Sequence, residues 1–136
     1  MILVDAGPLV AMIHVNDQHH RRCTEAFREL DQPLATVWPA FTEAMYLLGF
    51  SWTAQDALWE FARRGSLELL PLGTGELTRM HELMRKYSDL PMDLADAALV
   101  AVAERERLRT VFTLDRTDFS VYRPARIKRF IIVPEA

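Results

Sequence analysis

The chain has 136 residues, half of them apolar and 26% charged, with a formal net charge of −3. That length and balance fit a single domain, residues 1–136, that buries about two-thirds of the surface its unfolded form exposes and needs no disulfide or structural metal to fold. The acidic balance does not advertise nucleic-acid binding, no apolar run approaches the ~18 residues of a membrane span, and the lone Cys23 excludes an internal disulfide.

The opening run Met1 to Asp5 reads as a short strand ending in a carboxylate. It has no basic stretch before it and no cleavage site after it, so a cytoplasmic location and no membrane partner are expected. Gly7-Pro8 then opens a helix with Leu9, Val10, Met12 and Ile13 as its apolar positions. Asp17 to Leu30 reads as a second, more polar helix, and Pro33 to Val37 as a second strand. Trp38-Pro39-Ala40-Phe41-Thr42-Glu43 starts a helix that stops near Gly49, placing Glu43 close to a strand's C-terminal edge. A further helix runs from Thr53 to Arg64, capped by Ser51 or Thr53 and stopped by Gly65. Its large residues Trp52, Trp59 and Phe61 are most simply core. Leu67 to Leu72 is a third strand, and Thr74 or Gly75 starts a helix that ends near Tyr87.

The stretch that organises the chain follows, from Pro91 to Phe119. Asp93 is a good N-cap, and Asp96 falls at the third helical position, facing the positive end of the helix dipole. Leu94, Ala97, Ala98, Ala101 and Val102 make a narrow apolar face, small enough for close packing on a sheet, before the charged end Glu104 to Arg107. Thr110 to Thr113 reads as a buried strand, which leaves Asp115 in the loop at its C-terminal end. An Arg-rich loop, Arg123 to Arg129, leads to a last strand, Phe130 to Val133. Strands alternating with helices imply an α/β fold of three layers, α/β/α, with a central parallel sheet.

Asp5, Glu43, Asp96 and Asp115 come from four parts of the chain, yet each is expected at one edge of one sheet, where ligands bind in such folds. Several carboxylates in one pocket raise one another's pKa unless a cation neutralises them, so the set implies a metal. Oxygen ligands select a hard ion, Mg2+ or Mn2+, over zinc. Such an ion can activate water and stabilise charge on a phosphodiester, so the chemistry implied is phosphoester hydrolysis.

Val4-Asp5 with Gly7-Pro8-Leu9-Val10, Thr42-Glu43, Leu94-Ala95-Asp96-Ala97, and Thr113-Leu114-Asp115 with Asp118-Phe119 resemble, in order, the motifs of the PIN-domain ribonucleases, and among them the VapC-type toxins of bacterial toxin–antitoxin pairs. The resemblance spans almost the whole chain. It implies a metal-dependent endoribonuclease that cuts single-stranded or loop RNA (tRNA, rRNA or mRNA), leaves a 5′-phosphate and a 3′-hydroxyl, and is neutralised by a cognate antitoxin, with a homodimer expected. By motif position Asp5, Glu43, Asp96 and Asp115 would carry the metal and the catalysis. Thr113 would position the site, with Asp118 and Asp93 nearby.

Other readings exist for each feature. Asp93 and Asp96 suit plain helix capping, Asp5 and Asp115 suit turns after strands, and Glu43 suits a solvated first turn. A catalytically inactive PIN-like module that binds RNA or protein is the main alternative. An aspartyl-nucleophile phosphatase of the haloacid-dehalogenase type would carry a second Asp where this chain has Gly7. His19 and His20, adjacent on a helix, point about 100° apart and suit a solvated or RNA-facing surface better than a metal. Fourteen of the sixteen basic residues are Arg. The clusters Arg105 to Arg109 and Arg123 to Arg129 suit solvated faces or phosphate contacts. Trp52 and Trp59, if exposed, would suit a dimer or antitoxin surface.

Overall fold

The computed structural model describes all residues from Met1 to Ala136. Five strands of three residues each form one fully parallel sheet: β1 (Ile2–Val4), β2 (Leu34–Thr36), β3 (Leu67–Leu69), β4 (Thr110–Phe112) and β5 (Ile131–Val133). Their order across the sheet is β3-β2-β1-β4-β5. The chain therefore winds outward from β1 in one direction, then returns to the other side of β1 for β4 and β5. The junction of β1 and β4 is the switch point, where the connections leave in opposite directions and open a crevice at the carboxyl edge.

The helices are α1 (Ala6–Ile13), α2 (His20–Glu29), α3 (Trp38–Leu47), α4 (Trp52–Arg63), α5 (Leu77–Lys86), α6 (Leu94–Glu106) and α7 (Arg116–Val121). A single 3-10 turn, Thr74–Glu76, precedes α5. Alternation along the strands divides the core between the two sheet faces. Leu3, Ala35 and Val111 pack with α5, α6 and α7, whereas Ile2, Val4, Leu34 and Phe112 pack with α1, α3, α4 and the buried Cys23 of α2. Burial pushes the Cys23 thiol up to about 11, which leaves it a small apolar filler at neutral pH.

Several elements depart from the sequence expectation. The helix expected from Asp17 starts only at His20, because Asp17 Oδ1 accepts from the His19 N–H and holds a turn. Ser51, not Thr53, caps α4, accepting from the Ala54 N–H. The expected strand Leu67 to Leu72 ends at Leu69. In place of a loop after Asp115 there is a short helix, α7, capped by Asp115 itself.

The central helix also differs. Every residue from Ala95 to Ala103 is buried, so α6 is enclosed all round and not along one narrow face. Leu94, expected on that face, is 52% exposed. Trp52 and Trp59, read as core, are 68% and 39% exposed. No helix is long and apolar enough to cross a membrane.

Candidate active site

The crevice at the switch point is built from the ends of elements. Asp5 directly follows β1 and caps α1, its Oδ1 accepting from the Ala6 N–H at 2.8 Å. Its own N–H donates to Phe112 O at 2.9 Å, which ties it to the end of β4. Thr113, the next residue of that strand end, is fully buried. Its hydroxyl accepts from the Asp115 N–H at 3.0 Å and donates to Asp5 Oδ2 at 3.1 Å. Accepting from the Asp115 N–H leaves the hydroxyl proton for Asp5 Oδ2, so one side chain ties the Asp115 backbone to the Asp5 carboxylate.

Asp93 caps α6, with Oδ1 accepting from the Asp96 N–H at 2.8 Å. Because α6 runs antiparallel to the strands, this start lies at their carboxyl edge and lowers Asp96 into the crevice. One of its oxygens, together with one each from Asp115 and Asp118, forms a group in which all lie within 4.8 Å of one another. Asp118 sits one turn into α7, where its N–H donates to Asp115 Oδ1 at 3.2 Å. Glu43 stands on the exposed side of α3 at the rim.

The electrostatics follow from this crowding. Burial first, then the charge of Asp5, pushes the Asp96 carboxyl up to about 8, against a lowering bond from Tyr122. Burial raises Asp5 to about 6, with Glu43 and Asp93 adding to it. Glu43 is raised by partial desolvation and by Asp93, and Asp118 by desolvation and by Asp115. Six carboxylates thus act on one another across one crevice, although only Asp96, Asp115 and Asp118 make the tightest group.

Tyr122 was not legible as a site residue. Its hydroxyl donates to Asp96 Oδ2 at 2.7 Å, and its ring is fully buried between Phe119 and Tyr87, with ring centroids 5.1 and 5.0 Å away. Nothing in the sequence marks it, since it follows a six-residue helix that the periodicity does not reveal.

The first Arg cluster lies away from the crevice, and Arg123 of the second is engaged by backbone carbonyls. Arg105 to Arg109 stand at the far end of α6, roughly 20 Å from its first turn for a helix of this length. Arg105 pairs with Glu76 and Glu106. The Arg123 guanidinium donates to the Ser120, Val121 and Tyr122 carbonyls at the end of α7. His20 Nδ1 lies 2.7 Å from Ala11 O, a bond that joins α2 to α1.

The sequence profile of the PIN domain matches residues 2–123. The chain is also 30% identical over 135 residues to ribonuclease VapC26 of Mycobacterium tuberculosis, a match covering 98% of this chain and 100% of that protein. The chain belongs to the PIN-domain family. Solved structures share its fold: the sarcin-ricin loop cleaving toxin VapC20 of M. tuberculosis, with a TM-score of 0.78, 14% identity and coverage of 86% of this chain and 92% of that one, is one. VapBC2 of Rickettsia felis, bound to a DNA fragment from its promoter, is another, with a TM-score of 0.68, 17% identity and coverage of 97% and 98%. The three-layer PIN architecture is therefore the one the sequence predicts.

Proposed function

We propose that this PIN domain is a divalent-metal-dependent endoribonuclease and the toxin of a toxin–antitoxin pair. The observation that carries the reading is the meeting of Asp5, Asp96, Asp115 and Asp118 in the crevice at the β1–β4 switch point, on a chain similar to a ribonuclease of the VapC group. The donor set fits a hard cation. It is all oxygen, it is crowded enough to push two carboxyls well above their ordinary range, and no Lys or Arg pairs with it.

Asp5, Asp96 and Asp115 would hold Mg2+ or Mn2+, with Asp118 joining them and Glu43 closing the rim. When bound, the cation supplies positive charge opposite phosphodiester oxygens and makes water a better nucleophile at neutral pH. The chain's own part is positioning. Thr113 holds Asp5 by one oxygen and Tyr122 holds Asp96 by one oxygen, so each carboxylate keeps its other oxygen for the site or its helix cap. Asp93 gives one oxygen to the cap of α6, and its charge raises the Glu43 carboxyl while adding to the crevice's attraction for a cation.

The partners we infer are single-stranded or loop RNA, a cognate antitoxin and a second copy of the chain. Tyr46, Phe50, Trp52 and Trp59 on and between α3 and α4 are exposed at 82%, 62%, 68% and 39%, a density of aromatics typical of interface cores. The test of function is cleavage of a total-RNA pool by metal-stripped protein with Mg2+ or Mn2+ restored. Cutting that needs metal and disappears in Asp5→Asn and Asp96→Asn is expected. Folded wild-type protein that cuts nothing with either metal would overturn the nuclease reading.

A further inference from the structure

Beside the carboxylates lies a cleft of about 600 Å3 that the chemistry described so far leaves unused. Two of its lining residues, Glu43 and Asp93, belong to the acidic crevice, and the others include Trp38, Pro39, Leu72 and Leu94. Trp38 and Leu94 are the first residues of α3 and α6, both of which begin at the carboxyl edge of the sheet. They are 49% and 52% exposed, so two large apolar side chains stand half in water at the lip of the acidic crevice.

From this juxtaposition we propose that the cleft is a nucleobase subsite, in which one unpaired base of the RNA stacks on the Trp38 indole while its phosphodiester lies at the carboxylates. The inference rests on the ribonuclease reading and names what that site recognises beside the bond it cuts. Trp38 is a prepared platform: its ring packs edge-on against Phe41 at 5.5 Å and 81°, and Phe41 in turn against Trp59 at 5.2 Å, so its orientation is held before any ligand arrives. No Lys or Arg lines the cleft, which disfavours a phosphate there. An indole face and apolar neighbours next to a phosphodiester site suit a base, because every base presents a π face and single-stranded RNA is bound largely by stacking. The neighbouring carboxylates Glu43 and Asp93 can accept from a base's exocyclic amine, and they repel a second phosphate.

The test uses a fluorescein-labelled single-stranded oligoribonucleotide library, bound in Ca2+ and cleaved in Mn2+. Trp38→Ala should raise both Kd and KM by about fivefold or more, the range that loss of one stacked base gives. At saturating RNA, kcat and the affinity for Mn2+ should stay near wild type. Trp38→Phe should recover most of the binding, and Val15→Ala, at an exposed residue away from both the cleft and the exposed aromatics, should leave RNA affinity unchanged. Unchanged Kd and KM in Trp38→Ala, with cleavage intact, would overturn the subsite alone and leave the cleft to an apolar side chain of a protein partner. Loss in Trp38→Ala that Trp38→Phe does not restore would overturn the stacking role. Trp38-dependent binding without cleavage in Mn2+ would support the subsite while overturning the nuclease reading, and absence of RNA binding by any form would overturn both.

Discussion

The Tyr122 hydroxyl donates to Asp96 Oδ2 across 2.7 Å in the interior, joining the end of α7 to the first turn of α6. A buried carboxylate oxygen with one donor is left unsatisfied when that donor goes. Tyr122→Phe keeps the ring packing on Tyr87 and Phe119 and removes only the hydroxyl. We expect a loss of about 1–3 kcal/mol in urea unfolding and weaker Mn2+ binding, because Asp96 is then freer to turn and harder to ionise. Unchanged stability and metal affinity would show that this bond holds nothing.

The raised carboxyls make the metal-free protein sensitive to pH. In the native state Asp96 is pushed up to about 8 and Asp5 to about 6, from an ordinary value of 3.8. Folding therefore favours their protonated forms. Their contribution to stability is complete below about pH 4 and is lost as pH rises, through about 6 for Asp5 and about 8 for Asp96. In metal-free urea unfolding from pH 5 to 9, Asp96→Asn should gain stability relative to wild type as pH rises. Adding Mn2+ should stabilise wild type most at the alkaline end, since deprotonated acids bind it.

Glu104 is a structural anchor. It accepts from Arg79 Nε and Nη2, both at 2.7 Å, and from the Ala125 N–H at 2.7 Å, with only 11% of its side chain exposed. It therefore ties α5 and the Arg-rich loop to α6. Because the Arg79 side chain is 34% exposed, solvent screens part of the pair, and Glu104→Ala should cost about 1–3 kcal/mol. RNA cleavage below the melting transition should persist, which assays at two temperatures would check.

Trp52 tests whether the exposed aromatic face is an interface. At 68% exposure it contributes little to folding, so Trp52→Ala should leave the melting temperature within about 2 °C and weaken self-association or antitoxin binding several-fold. Sedimentation of the chain alone and with its co-expressed antitoxin would measure this. Trp52→Ala and Trp59→Ala variants that dimerise and bind antitoxin normally would remove the interface from this face.

The sheet-edge logic was readable in the sequence where capping chemistry and strand ends coincide. Asp5 after Val4, Asp93 three residues before Asp96, and Asp115 after a Val-Phe strand each carry a local signal, and the parallel sheet follows from strand–helix alternation. Leu94 was misplaced because periodicity assumes a helix with one wet side, whereas α6 is enclosed from Ala95 to Ala103 and its first residue projects at the lip. Trp52 and Trp59 were read as core because size alone does not distinguish a buried Trp from an exposed one, whereas Phe61 packs on the core as expected. Tyr122 was invisible because its meaning depends on a contact 26 residues away in sequence, made by a helix too short to announce itself.

Whether these carboxylates form a hard-cation site is decided by titrating the metal-free protein with Mn2+ and following free ion by electron paramagnetic resonance. We expect saturable binding to the folded chain at neutral pH, displaced by Mg2+ and lost or weakened about tenfold or more in Asp5→Asn and Asp96→Asn. Folded wild-type protein that binds no Mn2+, or binding that survives both substitutions unchanged, would contradict it.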